Sequence, residues 1–266
     1  MTKPLFYPIS ALTEPTKAVL VFREILRCYI VFHVCSGQLH GEIGFSNMLF
    51  QRKSGQLCGA LSDFDLAITK PCSGTSPASP AKILTDAPFI ALDLLNEPSA
   101  VPRYRHDLES FLYAITWCAS RYEGGKEIAR APLDDWGYPA GDAKFAKAKF
   151  MFGVFDCKYD RLLPRKARML VWPLCYFQMT FRDGMLKRKP YEHREQIDEE
   201  TFGGVVTLSR IAEVINEGIE MIMRDSKLEM TDALINEMRE DAKKFGDSRE
   251  LDKKCLLNLM GMGIRL

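Results

Sequence analysis

Leu39-His40-Gly41-Glu42-Ile43-Gly44-Phe45-Ser46-Asn47, followed further on by Asp63-Phe64-Asp65, is the part of this chain that decides its fold. Glu42 and Asn47 put a carboxylate and an amide five residues apart on one tight loop. Two short strands follow, Met48 to Gln51 and Leu57 to Leu61. Lys53-Ser54-Gly55 between them has the composition of a hairpin turn. Asp63 closes the second strand, so folding the hairpin carries Glu42, Asn47 and Asp63 toward one end. Two carboxyl groups and an amide oxygen meeting there suit Mg²⁺, which takes hard oxygen ligands and keeps phosphate and water partners.

On either side of this stretch the apolar pattern is helical. Val19, Phe22, Leu26, Ile30 and Phe32 predict a helix over 15–34, buried on more than one side and ended by Gly37. Leu108, Phe111, Leu112, Ile115 and Ala119 predict an amphipathic helix over 106–122. Asp107 sits in its first turn, and Gly124-Gly125 is expected to end it. Residues 69–80 are crowded with proline and serine and read as a loop. Residues 131–164 read as an irregular insert with one short helix over 143–150. Lys144, Lys147 and Lys149 are expected to form its solvated face. Further helices are expected over 166–181 and 205–223. A charged helical tail runs over 225–254, with Ser226 and Glu229 at capping-box spacing. Trp117 and Trp172 are expected in the core, and His40 as a packed loop histidine.

Composition narrows the functional classes. The chain has 266 residues, 47% hydrophobic and 27% charged, which suits a folded globular protein rather than a disordered one. Lys+Arg total 36 against 35 Asp+Glu, so the basic excess of a non-specific nucleic-acid binder is missing. The eight cysteines contain no C-x-x-C pair, which argues against a zinc ribbon and for free thiols in a reducing compartment. The most apolar stretch, 18–35, is broken by Arg23, Glu24, Arg27 and His33, so no membrane span is expected. A cytoplasmic or nuclear protein is the resulting expectation.

The quoted motifs resemble those of protein kinases, a catalytic loop of the form H-R-D-x-x-x-x-N followed by D-F-G. The closest likeness is to the fungal-type protein kinase domain, whose second motif commonly reads D-F-D, as Asp63-Phe64-Asp65 does. Other segments agree in order. Pro4-Leu5-Phe6-Tyr7-Pro8-Ile9 resembles the hinge between the two lobes, and Ala87 to Leu95 resembles the end of the activation segment. Tyr104 to Phe111 resembles the start of the long central C-lobe helix. The resemblance is clear over residues 4–122.

What the resemblance implies is a set of roles. Asn47 and Asp63 would hold Mg²⁺ on the phosphates of ATP, and Glu42 would accept the proton of a protein hydroxyl. Phe6 and Tyr7 would lie against the nucleotide, and Asp107 would brace the catalytic loop from beneath. Three departures accompany it. Glu42 stands where the pattern has Asp, and its extra methylene moves the carboxylate by about 1 Å, a displacement that can cost on the order of 10²-fold in rate. Gly41 stands where the pattern has Arg, which removes the usual partner of the activation segment. Around Leu84-Thr85-Asp86 the expected run is altered. No glycine-rich turn or strand lysine precedes the hinge-like segment, and Gly261-Met262-Gly263 is no substitute.

The sequence therefore predicts a mainly α fold with a small β-hairpin, a protein-kinase-like C-lobe lacking most of the N-lobe. Residues 1–14 form a hinge-like segment, 15–224 the lobe and 225–266 a charged helical extension. The implied activity is transfer of the ATP γ-phosphoryl group to a Ser or Thr hydroxyl of a protein substrate. The alternative is an inactive pseudokinase or truncated paralogue that binds a protein partner.

Overall fold

The computed structural model describes residues 5–53, 56–69, 87–137, 140–153, 158–188 and 197–225. Four expectations lie outside them: the 54–55 hairpin tip, most of the 69–80 loop with the 84–86 run, Pro4, and the tail from residue 226 onward.

Helix α1 spans Pro15–Ser36. Proline at its first position has no N–H to lose there, and Gly37 ends it at φ 67°, where its amide bonds the His33 carbonyl. Its apolar residues are buried on several sides, as the loose periodicity implied. Strand β1, Tyr7–Pro8, precedes it, and β2, Gln38–Leu39, follows it. The hairpin forms as β3, Met48–Lys53, and β4, Gln56–Leu61, in register Met48↔Leu61 through Lys53↔Gln56. Strand β1 adds to the free edge of β3, giving the order β1-β3-β4, and β5, Ile68–Thr69, pairs with β2.

One glycine sets how closely the hairpin lies on α1. A Cβ at Gly59 would sit 2.5 Å from the Val21 carbonyl oxygen, so only glycine fits. The Gly59 amide donates to Glu24 Oε2 at 2.5 Å, which fixes β4 on the helix.

After α2, Leu92–Asn96, comes the central helix α3, Tyr104–Arg121. Every residue of α3 except Trp117 is buried, so the other elements are laid around it. It does not end at Gly124-Gly125. The chain leaves the helix at Tyr122 in extended backbone and enters a small hairpin, β6, Tyr122–Glu123, and β7, Lys126–Glu127. The two glycines, at φ 61° and 77°, make that hairpin's turn. Arg121 holds this corner by stacking on Trp117 at 4.1 Å and bonding Glu127 and Asp134.

The 131–164 stretch is more regular than its composition suggests, with α4 at Ala140–Phe152 and α5 at Lys158–Leu162. Lys144 and Lys149 are exposed, but Lys147 is 0% exposed. Its Nζ donates to the Ile90 carbonyl at 2.6 Å and lies 4.5 Å above the Tyr113 ring. A buried ammonium needs such partners, and these come from segments distant in sequence. A 3₁₀ turn over 165–170 leads into α6, Val171–Arg188, and α7 is Leu208–Asp225. Trp172, expected in the core, is 59% exposed. Its neighbours Pro173 and Leu174 face inward instead.

A cluster of charges ties the later elements to α3. Asp93 meets Arg105 at 2.7 Å and Arg188 at 3.0 Å, while Glu199 meets Arg188 at 3.0 Å. Arg105 also lies 3.9 Å over the Phe202 ring. Burial alone would raise the Asp93 carboxyl. His106, 3.9 Å away, and the two guanidinium groups outweigh it and hold the group well below the usual carboxylate range. No helix among the described residues is long and apolar enough to cross a membrane. The described cysteines, Cys28, Cys35, Cys58, Cys118 and Cys175, are all free thiols.

Candidate functional site

The 39–47 loop is held from below by a carboxylate from the first turn of α3. Asp107 Oδ2 accepts the His40 amide at 2.8 Å, and Oδ1 accepts the Gly41 amide at 3.0 Å. Two successive amides thus point at one carboxylate. Gly41, which carries the second of them, is at φ 77°, in the left-handed region that a residue with a Cβ occupies only at a cost. Burial pushes the Asp107 carboxyl up, and the bonds from Gly41 and His40 only partly pull it back, leaving it at about 6.

His40 is packed, as expected. It is 0% exposed, its ring edge meets Phe64 at 5.0 Å, and Phe64 in turn meets Phe32 of α1 at 4.7 Å. Its Nε2 lies 2.9 Å from the Ser62 carbonyl, and the Glu42 amide lies 3.3 Å from its Nδ1. Both contacts are satisfied when Nε2 donates and Nδ1 accepts. Burial lowers the imidazole's proton affinity, which agrees with that neutral form.

The hairpin register places the remaining residues. Met48 pairs with Leu61, and the ladder runs one step further, the Ser62 amide donating to the Asn47 carbonyl at 3.0 Å. Asn47 and Asp63 therefore stand at the same end of the hairpin, on adjoining strand ends. Asn47 Nδ2 donates to the Glu42 carbonyl at 3.0 Å, which closes the loop and leaves the amide oxygen as that side chain's second polar atom. Asp63 is exposed and holds φ 65°, ψ 56°, a left-handed backbone that Asp tolerates better than most residues. Glu42 is half-buried. Tyr7 of β1 and Phe6 just before it are exposed, and the Tyr7 ring meets Phe50 of β3 at 5.6 Å.

The structure thus ties His40, Glu42, Asn47 and Asp107 into one hydrogen-bonded unit, with Asp63 on the adjoining strand end, Tyr7 on the adjoining sheet and Phe6 just before it. The sequence reading missed Ser62, Phe64 and Tyr29 as its supports. Ser62 acts through its carbonyl, which no side-chain pattern signals. Tyr29 is fully buried, and its hydroxyl lies 3.4 Å from the Tyr104 carbonyl, one turn before Asp107. Its place one turn before His33 on α1 was the available signal.

As donors for a cation, an exposed carboxylate and an amide oxygen on adjoining strand ends fit a hard ion that draws its other ligands from phosphate and water. Among the described residues no three His, Cys, Asp or Glu side chains converge into an all-protein metal cage.

Compared with known families, residues 1–119 match the profile described as fungal protein kinase. No curated protein matches the chain. The matched span takes in β1, α1, the 39–47 loop, the hairpin, Asp63-Phe64-Asp65 and α3 as far as Ala119. Over residues 1–119, somewhat less than half of the chain, the protein is therefore similar to fungal-type protein kinases.

Proposed function

We propose that this chain is the mainly helical lower lobe of a kinase-like phosphoryl-transfer site. It would act with Mg·ATP on a Ser or Thr hydroxyl of a protein. One observation carries the reading: the Asp107 carboxylate holds the consecutive amides of His40 and Gly41, and so fixes the loop that bears Glu42 and Asn47 beside Asp63. Phosphoryl transfer asks a protein mainly for positioning and electrostatic stabilisation, and a loop tied at its base provides the first.

In this reading Asp63 and the Asn47 amide oxygen hold Mg²⁺. Glu42 takes the proton of the acceptor hydroxyl, and Phe6 and Tyr7 flank the nucleotide base. Mg·ATP, when bound, supplies the phosphoryl group. The test is transfer of labelled γ-phosphate to a Ser/Thr protein acceptor by the full chain. Transfer abolished by Glu42→Ala, and a Mg·ATP-dependent rise in Tm abolished by Asp63→Ala, are the expected results. Transfer that survives both substitutions overturns the assignment.

A second reading is favoured by Gly41 and Glu42 themselves. Glycine removes the charge that would grip an activation segment, and the longer acid shifts the base by about 1 Å. Both bear on the acceptor rather than the metal. Under this reading the chain binds a protein partner and transfers nothing, and its complex is unaffected by Asp63→Ala and Glu42→Ala.

A further inference from the structure

We propose that the outer face of α6, with the 3₁₀ turn that leads into it, is a docking surface for an anionic phospholipid bilayer. Four of the nine exposed large apolar side chains among the described residues lie along it: Trp172, Tyr176, Met179 and Leu186. They follow one another at steps of four, three and seven residues, so they form a single stripe, about 21 Å long at 1.5 Å per residue. Leu174, Phe177 and Phe181 fill the core from the other side of the helix, while the four stripe residues stay 38–59% exposed. The rings of Trp172 and Tyr176 lie 6.4 Å apart and project together.

The stripe runs back into cations. Arg165 and Arg168 precede Trp172 at steps of three and four, and Lys166 stands beside them. All three are exposed, and none forms an ion pair among the described residues. From Arg165 to Arg188 six basic residues stand against a single acid, Asp183, in a chain whose net charge is only +1. Asp183 has Lys187 four residues on, the helical spacing that sets opposite charges side by side. Arg188 is already paired with Asp93 and Glu199, so the uncompensated charge gathers at the Trp172 end.

Charge and residue type together select the occupant. A second copy laid on the same face would set like charges against each other. A nucleic acid would engage the cations and the two rings but gain nothing from Met179 and Leu186. The anchors of a protein interface cluster in pockets of the partner, whereas these side chains are strung along a line. A bilayer surface uses every part of the face. Trp and Tyr set an apolar ring below the headgroups and a polar tip among them, and Met and Leu enter the acyl boundary. The long stems of Arg and Lys carry their charge to anionic headgroups. Each such cation near the surface strengthens binding, and together with the apolar stripe they make a reversible attachment. The helix then lies on the membrane and does not cross it.

The experiment is co-sedimentation of the full chain with vesicles of phosphatidylcholine, alone or with about 30 mol% phosphatidylserine. Binding to the anionic vesicles alone is expected, weakened about tenfold when salt rises from about 0.1 M to about 0.5 M. Trp172 emission is expected to shift to the blue on binding, a change missing from Trp172→Phe. Arg165→Glu with Arg168→Glu, and separately Tyr176→Ser with Met179→Ser, are each expected to weaken binding about tenfold. Both pairs are expected to keep the parent Tm, since all four side chains are exposed. No binding to the anionic vesicles, equal binding to both kinds, or binding that either pair leaves unchanged would overturn the proposal. So would an RNA oligonucleotide or a poly-glutamate chain held more tightly than the vesicles by the same residues. The face shares no residue with the 39–47 loop, so a failed phosphoryl-transfer assay leaves this test intact.

Discussion

Asp107 holds the 39–47 loop through both of its carboxylate oxygens. Its two oxygens satisfy two buried amides, so removing it leaves both donors without partners. Asp107→Ala is expected to cost about 3 kcal/mol in chemical denaturation, and hydrogen exchange at the His40 and Gly41 amides should accelerate more than elsewhere in the core. Gly41→Ala is milder, with an expected loss of about 1 kcal/mol for a Cβ at φ 77°. Glu109, two residues along, gives a pH signature. Its Oε1 accepts the Leu92 amide at 2.8 Å and the Tyr113 hydroxyl at 2.6 Å, while Oε2 is buried with no hydrogen-bond partner. Burial raises this carboxyl to about 7. A carboxyl that holds its proton more tightly folded than unfolded stabilises fully at acid pH. That contribution fades as pH rises from about 4.5 through 7. His106, lowered by burial to about 4, pulls the opposite way over an overlapping range, so the variant isolates the effect. Glu109→Gln is expected to gain stability relative to the parent by on the order of 2 kcal/mol between pH 4.5 and 7.5, followed by urea denaturation. A constant difference across that range would refute the assignment.

Among the elements, closeness of approach decides what can be changed. The β3–β4 hairpin rests on α1 through Gly59, where a methyl group would strike the backbone of Val21. Backbone cannot swing aside as a side-chain end can. Gly59→Ala is therefore expected to lower stability by about 3 kcal/mol and to displace the strand ends bearing Asn47 and Asp63. Lys147 makes the complementary point for α4, pinning it to the Ile90 carbonyl. Lys147→Ala should cost about 3 kcal/mol through the cavity and the orphaned carbonyl. Lys147→Met, which keeps the stem, should cost less, measured by thermal unfolding. These two residues also mark how far the sequence could be read. The hairpin, α1 and α3 were legible because periodicity and turn glycines act locally. The span of α4 was underread, and Lys147 was misplaced, because its partners Ile90 and Tyr113 lie 57 and 34 positions away and no local pattern announces them. Trp172 failed for the same reason, since bulk alone does not say which way a helix turns.

For the whole molecule, the 39–47 loop is where local and long-range information meet. Its residue types suggested metal and acid–base chemistry unaided. The Asp107 tether spans 67 positions and was expected only through the kinase resemblance. The supporting carbonyl of Ser62 was not legible at all, because backbone acceptors leave no mark in sequence. The buried helix α3 unites these parts: it braces the loop with Asp107, the 89–95 segment with Glu109 and Arg105, and the β6–β7 corner with Arg121. Damage to α3 should therefore lower every function of the chain together, whereas Asp63→Ala should spare stability. That variant is expected to keep the parent Tm within about 2 °C without nucleotide and to lose any Mg·ATP-dependent rise.

The burial of Lys147 gives this protein an internal clock. An acylating reagent modifies exposed amines at once, but it reaches this one only when α4 leaves the Tyr113 ring. The time course of modification at that single amine, followed peptide by peptide, would measure how often the native body opens.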